Sequence, residues 1–475
     1  MESRTNTVGW GLFVELDRES SIPAHVQLEV AIRDGIRTGR LKGESVVPSS
    51  RRLAQDLGLS RGVVVEAYQQ LTAEGYLISQ AGGYTRVASG VTRAGASPGK
   101  GAAQPASTEE KHLLDFRYGR PDVTQFPRAA WLRSLRKVLT ESPHDRLNYL
   151  DGRGAPELRA ALADYLNRVR GTWATPDNVV ACNGFAQAVA LIMPVIASNG
   201  VRRLAVEDPS DGDAVRIARA AGLEVVGIPV TPDGIDVAAL ARSEADAILV
   251  TPAHQFPTGC VLSSEARTRL LAWANDRNAL ILEDDYDAEY RYDETPVGAL
   301  HGLAPDRVLY AGTASKTLAP GLRLGWMVVP DRLVDAIAAL KVEVDRGSPV
   351  IDQLAFAEFL RNGDFDRHLR RMRPIYRRRR DVLIDAMNEQ VPELDPVGIA
   401  AGLHIFAWLP PDLPEVEVIA AARRRGLMVA GIHDYRHGTE DRGGLLLGYA
   451  KLQEDMIRRG VGIVRRALDD VLGGG

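Results

Sequence analysis

A lysine stands among small hydroxyl residues in Thr313-Ala-Ser-Lys316-Thr, and Arg323 follows seven residues later. An amine in such a setting can form a Schiff base with an aldehyde. Thr313, Ser315 and Arg323 can surround a phosphate. Pyridoxal phosphate carries both groups, and its ring nitrogen needs a carboxylate to stay protonated. The stretch Ala279-Leu-Ile-Leu-Glu-Asp-Asp-Tyr-Asp287 offers acids at the end of an apolar run, where α/β sheets place ligands. Asp284 suits the ring nitrogen, because an ion pair lowers the carboxylate pKa and raises that of the pyridine. Tyr286 can hydrogen-bond the ring hydroxyl. Upstream, residues 179–191 read as strand, tight turn and helix. Backbone N–H groups of Gly184, Phe185 and Ala186 would meet the phosphate at that helix start. Each signal has a plainer reading, a structural lysine or a metal-binding acid cluster. The order of all three is what points to the cofactor.

A second chemistry lies near the N-terminus. Ser49 can cap a short helix that Gly58 stops, and Ser60 can cap the next. In that second helix Val64, Ala67, Tyr68 and Leu71 recur at helical spacing. Two short helices joined this way make a helix-turn-helix. Gly75–Tyr84 then reads as two strands about a Gly-Gly turn, a wing. The start of the second helix would enter the major groove. Arg51, Ser60 and Arg61 lie where they can reach phosphates or a guanine edge. A helix before this pair starts at Pro23, with Val26, Val30 and Ile36 among its apolar positions.

The elements that hold these groups follow from composition. The chain has 475 residues, roughly three domains at ~100–200 residues each. Residues 91–111 are rich in Ala, Gly, Ser and Pro and read as a flexible linker, since they bury too little to offset ordering entropy. The linker divides a DNA-binding head, residues 12–90, from a body at 113–475. The linker itself is set at 91–112. Strand-like runs alternate with helices in the body, which implies an α/β fold with a largely parallel sheet. Its large part covers about 150–345 and its smaller α+β part about 346–475 with 113–149.

Two cysteines, Cys182 and Cys260, exclude a disulfide framework and a Cys-rich zinc site and suit the cytoplasm. No signal peptide is expected at the N-terminus. The apolar stretch Ala188–Ala197 contains Pro194 and is too short to span a bilayer. The net charge of −4 argues against a protein coated in positive charge. Even residues 1–90 hold ten Arg/Lys against ten Asp/Glu. Any DNA signal therefore rests on the placement of a few arginines. The run Arg370–Arg380 reads as a solvated helix face.

The string VVPSSRRLAQDLGLSRGVVVEAYQQLTAEGYL closely resembles the winged helix-turn-helix of the GntR family of bacterial regulators. By that resemblance Ser49, Arg51, Ser60, Arg61 and the wing Gly83 are the expected DNA contacts. The body resembles fold-type I aminotransferases. The strings DYDAEYRYD, TPAHQFPTG and GTASKTLAPGLRLGW give the whole chain the look of the MocR/GabR type of transcription regulator. The resemblance implies Lys316 as the Schiff-base lysine, Asp284 at the pyridine nitrogen, Tyr286 at the ring hydroxyl and Arg323 at the phosphate. It also implies a head-to-tail homodimer.

Three departures bear on function. The usual Asn-Pro-x-Gly segment is His254-Gln-Phe-Pro-Thr-Gly259, which leaves the ring contact to His254 or Gln255, or to neither. Asp211 stands where related chains often have an aromatic. Leu445-Leu-Leu-Gly-Tyr-Ala450 lacks the usual substrate-carboxylate arginine, with Arg436 or Arg442 as substitutes from the preceding loop. Without a fixed cation an amino acid is poorly oriented for transamination. The expected function is a regulator that binds operator DNA at two half-sites and senses pyridoxal phosphate or an amine or amino-acid effector. The alternative is an active aminotransferase with an accessory head.

Overall fold

A computed structural model of the chain describes residues 16–79, 84–89, 114–292, 297–398, 400–438 and 442–473. The chain divides into two compact units, Met1–Pro105 and Ala106–Gly475. The linker and Gly83 lie outside the described residues.

The first unit holds helices Ala24–Arg37, Ser50–Leu57 and Arg61–Ala73, then strands β1 (Leu77–Ser79) and β2 (Thr85–Val87). The strands pair antiparallel, Leu77 opposite Val87. Ser49 caps the second helix by accepting the Arg52 N–H at 3.3 Å, and Gly58 ends it in the left-handed conformation at φ 64°. Ser60 caps the third helix. Val64, Ala67, Tyr68 and Leu71 are all buried, as their spacing requires. The first helix differs from expectation. Its buried stripe is Leu28, Ile32 and Ile36, four residues apart, whereas Val30 is 47% exposed. Apolar type alone does not choose the face; the i, i+4 row does.

The body begins with β3 (Leu114–Asp115). The large sheet follows: β4 (Val179–Cys182), β5 (Arg203–Asp208), β6 (Glu224–Thr231), β7 (Gly234–Ile235), β8 (Ala247–Val250), β9 (Leu280–Asp285), β10 (Val308–Thr313) and β11 (Gly325–Val328). Their order is β4-β11-β10-β9-β8-β5-β6-β7. Strands β6, β5, β8, β9 and β10 run parallel, and β11 is antiparallel to both its neighbours. The sheet is thus mixed and mostly parallel, with apolar clusters on both faces.

Side chains alternate across that sheet. On one face lie Leu249, Leu280, Leu282, Leu309 and Ala311, under the helix Phe185–Ser198. On the other lie Ile248, Val250 and Ile281. The same alternation continues into the polar strand ends. It carries Asp284 and Thr313 onto the Leu282 and Ala311 face, and sends Glu283 and Asp285 to the opposite side.

The smaller part has β12 (Asp395–Val397), β13 (His404–Trp408), β14 (Leu427–Met428), β15 (Ala430–Gly431) and β16 (Gly444–Gly448). Its four-stranded sheet runs β12-β13-β16-β15, while β14 pairs in parallel with β3. The segment that opens the body is therefore tied to the chain's last third. The helix Asp364–Gln390 carries the arginine run, which is more than a solvated face. Arg379 is buried and bonds Asp122 at 2.9 Å, and Arg371 donates to the Gln125 carbonyl at 2.6 Å. These arginines pin the helix to residues 122–125. No helix among the described residues is long and apolar enough to cross a membrane.

Candidate cofactor cavity and DNA-binding face

A cavity of about 510 Å³ opens at the C-terminal ends of β5, β8, β9 and β10. Glu207, Thr251, Asp284 and Thr313 line it from those ends, and Phe185 and Ala186 from the helix after β4. Ser315, Lys316 and Arg323 reach it from the loop after β10, and Tyr286 from the turn after β9. The volume lies within the usual range for small-molecule sites, ~300–1,000 Å³.

The Lys316 amine donates to the Gly119 carbonyl at 3.3 Å and lies 4.9 Å over the Tyr118 ring. Burial pushes its pKa down, against the opposing pull of Asp287, Asp284 and Asp211. A lowered pKa leaves more neutral amine, the nucleophilic form. Asp284 is held well above the usual carboxylate range by burial, with Asp211 and Asp285 adding to it. Its Oδ1 is buried and has no hydrogen-bond partner. An orphaned buried acceptor is costly and marks a place for a donor. A protonated pyridine nitrogen is such a donor.

Beside Lys316, the Thr313 hydroxyl donates to Ser315 Oγ at 3.0 Å and accepts the Ser315 N–H at 3.1 Å. Arg323 adopts φ 51°, left-handed and strained for a residue with a side chain. It donates to the Asn183 carbonyl. Gly184 has φ 86°, and a Cβ there would come within 3.2 Å of the Arg323 guanidinium. Glycine thus lets the turn and the arginine close on one point. The donor set fits a phosphorylated aldehyde: amine, orphaned acid, phenol, two hydroxyls, guanidinium and a helix start.

The two neighbours of Asp284 do other work. Asp285 receives Arg170 at 2.6 Å and the Tyr310 hydroxyl at 2.7 Å, all three buried. Glu283 accepts the Leu300 and His301 N–H groups at 3.0 and 3.1 Å. Both carboxylates anchor the strand end from behind.

On the first unit, Arg51 and Arg61 are exposed at the starts of their helices. A groove of about 650 Å³ runs between the third helix and the wing, lined by Ser49, Gln69, Thr72, Ser79 and Tyr84 among others. Tyr84 is 74% exposed beside this groove.

Residues 25–87 match the model for bacterial regulatory proteins of the gntR family, and residues 111–432 match that for aminotransferase class I and II. The chain is 34% identical over 469 residues to the probable rhizopine catabolism regulatory protein MocR of Rhizobium meliloti, covering 95% of each. The chain belongs to the MocR-type family of transcription regulators. It is also 32% identical to the pyridoxine biosynthesis regulator PdxR of Corynebacterium glutamicum, over 92% of this chain and 94% of that one. Among solved structures, the body resembles LysN, an α-aminoadipate aminotransferase from Thermus thermophilus, seen with N-(5′-phosphopyridoxyl)-L-leucine. That likeness has TM-score 0.70 and 26% identity, covering 77% of this chain and 94% of that one.

Not every residue singled out in the regulator's sequence reaches the cavity. His254 is buried outside the lining, where its Nδ1 meets Asp287 at 3.0 Å and the Tyr286 hydroxyl at 3.1 Å. Gln255 donates to the Pro209 and Phe256 carbonyls. Phe256, one residue on, is the lining side chain. Arg436 and Arg442 both lie over the Trp408 ring, at 5.8 and 4.9 Å, and neither lines the cavity. Four lining residues had no local signal: Tyr118, Gly119, Arg120 and Tyr435. Only the pairing of β3 with β14 and the fold of the smaller part bring them in. Arg120 is ion-paired with Asp115 at 2.8 Å.

Glu207 yields a pH prediction. Burial pushes its carboxyl up to about 7, against hydrogen bonds from the Thr251 N–H and hydroxyl. The unfolded value is about 4.3. A raised folded pKa gives stability that is complete below the unfolded value and is lost as pH rises through about 7. Glu207→Gln keeps the acceptor for Thr251 and cannot ionise. Its melting temperature should fall less than that of the wild type between roughly pH 4.3 and 7. The flattening is partial, because burial also pushes Glu283 and Glu289 up to about 7. Equal slopes for the two proteins would refute the assignment.

Proposed function

We propose that the body takes up pyridoxal phosphate at Lys316 and works as a sensor for that cofactor or for an amine. The single observation that carries this is the meeting of an amine of lowered pKa and an orphaned buried carboxylate in one cavity. Bound there, the cofactor supplies an aldehyde that condenses with primary amines. Lys316 holds it covalently, and Asp284 keeps a proton on the ring nitrogen. Tyr286 bonds the ring hydroxyl. Arg323, Thr313, Ser315 and the turn Gly184–Ala186 receive the phosphate.

Sensing rather than turnover is favoured by the lining arginines. They are Arg323, used for the phosphate, and Arg120, already paired with Asp115. Among the described residues no other arginine lines the cavity to orient an amino-acid carboxylate, which transamination needs. The regulator works in the cytoplasm as a head-to-tail homodimer, and its two heads read two half-sites of an operator. Ser49, Arg51, Ser60, Arg61 and Gly83 make the DNA contacts. Cofactor or amine binding alters the spacing of the heads, a coupling between two distinct sites.

The test is operator affinity by fluorescence anisotropy, on a site selected from random DNA. It is measured without cofactor, with pyridoxal phosphate, and then with a panel of amines. A shift of at least about 5-fold is expected, the lower edge of ordinary allosteric coupling. No shift with any ligand would overturn the sensor reading. Conversion of amino acids to keto acids at ordinary enzyme rates, ~1–10³ s⁻¹, would favour the aminotransferase instead.

A further inference from the structure

Among the described residues, six charged groups line the cavity, and of these Arg120 has an ion pair, to Asp115. Glu207 is a buried carboxyl that accepts the Thr251 N–H and hydroxyl. That leaves four: Lys316, Arg323, Asp284 and Asp211. On the cofactor reading above, three of the four find their counterparts: aldehyde for Lys316, ring nitrogen for Asp284, phosphate for Arg323. Asp211 remains over.

We propose that Asp211 selects a second positive charge on the effector, so that the preferred effector is a short diamine. One amine faces Lys316 and the other pairs with the Asp211 carboxylate as an ammonium. The inference rests on the cofactor reading and deepens it. Several features support it. Asp211 caps the helix Gly212–Ala220 by accepting the Asp213 N–H at 3.0 Å, which fixes the carboxylate's direction. Burial holds its pKa above the ordinary range, a cost that a neighbouring ammonium would reverse. Tyr435 and Phe256, edge to face at 5.0 Å, offer an apolar wall to the alkyl chain. An effector carboxylate in the same place would face Asp211 and be repelled. An aromatic side chain at this position would offer a ring stack and no charge.

The test uses the full-length protein loaded with pyridoxal phosphate. It is titrated with diaminoalkanes from ethylenediamine to cadaverine, with the matching monoamines, and with γ-aminobutyrate. The readout is the change in visible absorption of the lysine-bound cofactor, which gives an apparent Kd. The tightest diamine should bind at least about tenfold better than its monoamine, the scale of one charge-assisted contact. Asp211→Asn keeps the helix cap, since Asn serves equally well there, and should bring the ratio close to one. Asp211→Lys should reverse the preference toward γ-aminobutyrate. Equal binding of diamine and monoamine by the wild type, or an unchanged ratio in Asp211→Asn, would overturn the inference alone. Failure of the wild type to take up cofactor would overturn the proposed function and this inference with it.

Discussion

Lys316→Ala should abolish covalent cofactor uptake. Borohydride reduction of the wild type with pyridoxal phosphate should leave one adduct per chain, found by mass spectrometry on the Lys316 peptide. The variant should show none. The expectation rests on placement. Among the described residues Lys316 is the one lysine lining the cavity, and burial lowers its pKa. Adduct formation should reach half its maximum below the range of a free lysine, about pH 10.4. Operator binding by the variant should persist while its response to cofactor is lost, because the two functions belong to different units. An adduct at another lysine, or an unchanged adduct in the variant, would sink the assignment.

Arg61→Ala should weaken operator binding by about 1–3 kcal/mol, roughly 5–150-fold, the range for a lost side-chain contact to a base edge. Arg61 is the first residue of the third helix, exposed, on the side that enters a groove in helix-turn-helix proteins. The head has no surplus of positive charge to mask the loss, since residues 1–90 carry ten cations and ten anions. Melting temperature should barely move, because the side chain is exposed and the Ser60 cap remains. If the loss is equal on operator and random DNA, and the salt slope falls by about one, Arg61 contacts phosphate. If the loss is confined to the operator, it reads a base. Unchanged affinity for both would remove Arg61 from the DNA face.

The head shows how far local pattern reaches. Caps, stop glycine and buried spacing are all short-range features, and Ser49, Gly58, Ser60 and the Val64–Leu71 stripe sit as their types require. The first helix marks the limit of such reading. Val26 and Val30 are as apolar as Leu28 and Ile32, and only packing against the third helix decides which row is covered.

The cavity divides in the same way. Residue types and order sufficed for the lysine, the hydroxyls, the arginine and the acid-tyrosine pair, because each group sits on one strand end or its following loop. Among Glu283, Asp284 and Asp285, alternation across the sheet selects the acid. Leu280 and Leu282 lie in the cluster on the cavity side, and Asp284 continues that row.

The contributions from Tyr118, Gly119, Arg120 and Tyr435 were beyond sequence reasoning. They come from segments more than a hundred residues from Lys316, and only the β3–β14 pairing brings the opening segment there. The same holds for the demotion of Arg436 and Arg442, which Trp408 occupies. Sequence alone therefore determined the family, the two units and the chemistry of the strand ends, because those depend on residue type and near spacing. Tertiary structure alone decided which charges are already matched and which are left over. Charge matching depends on distances between chain segments that no local pattern encodes.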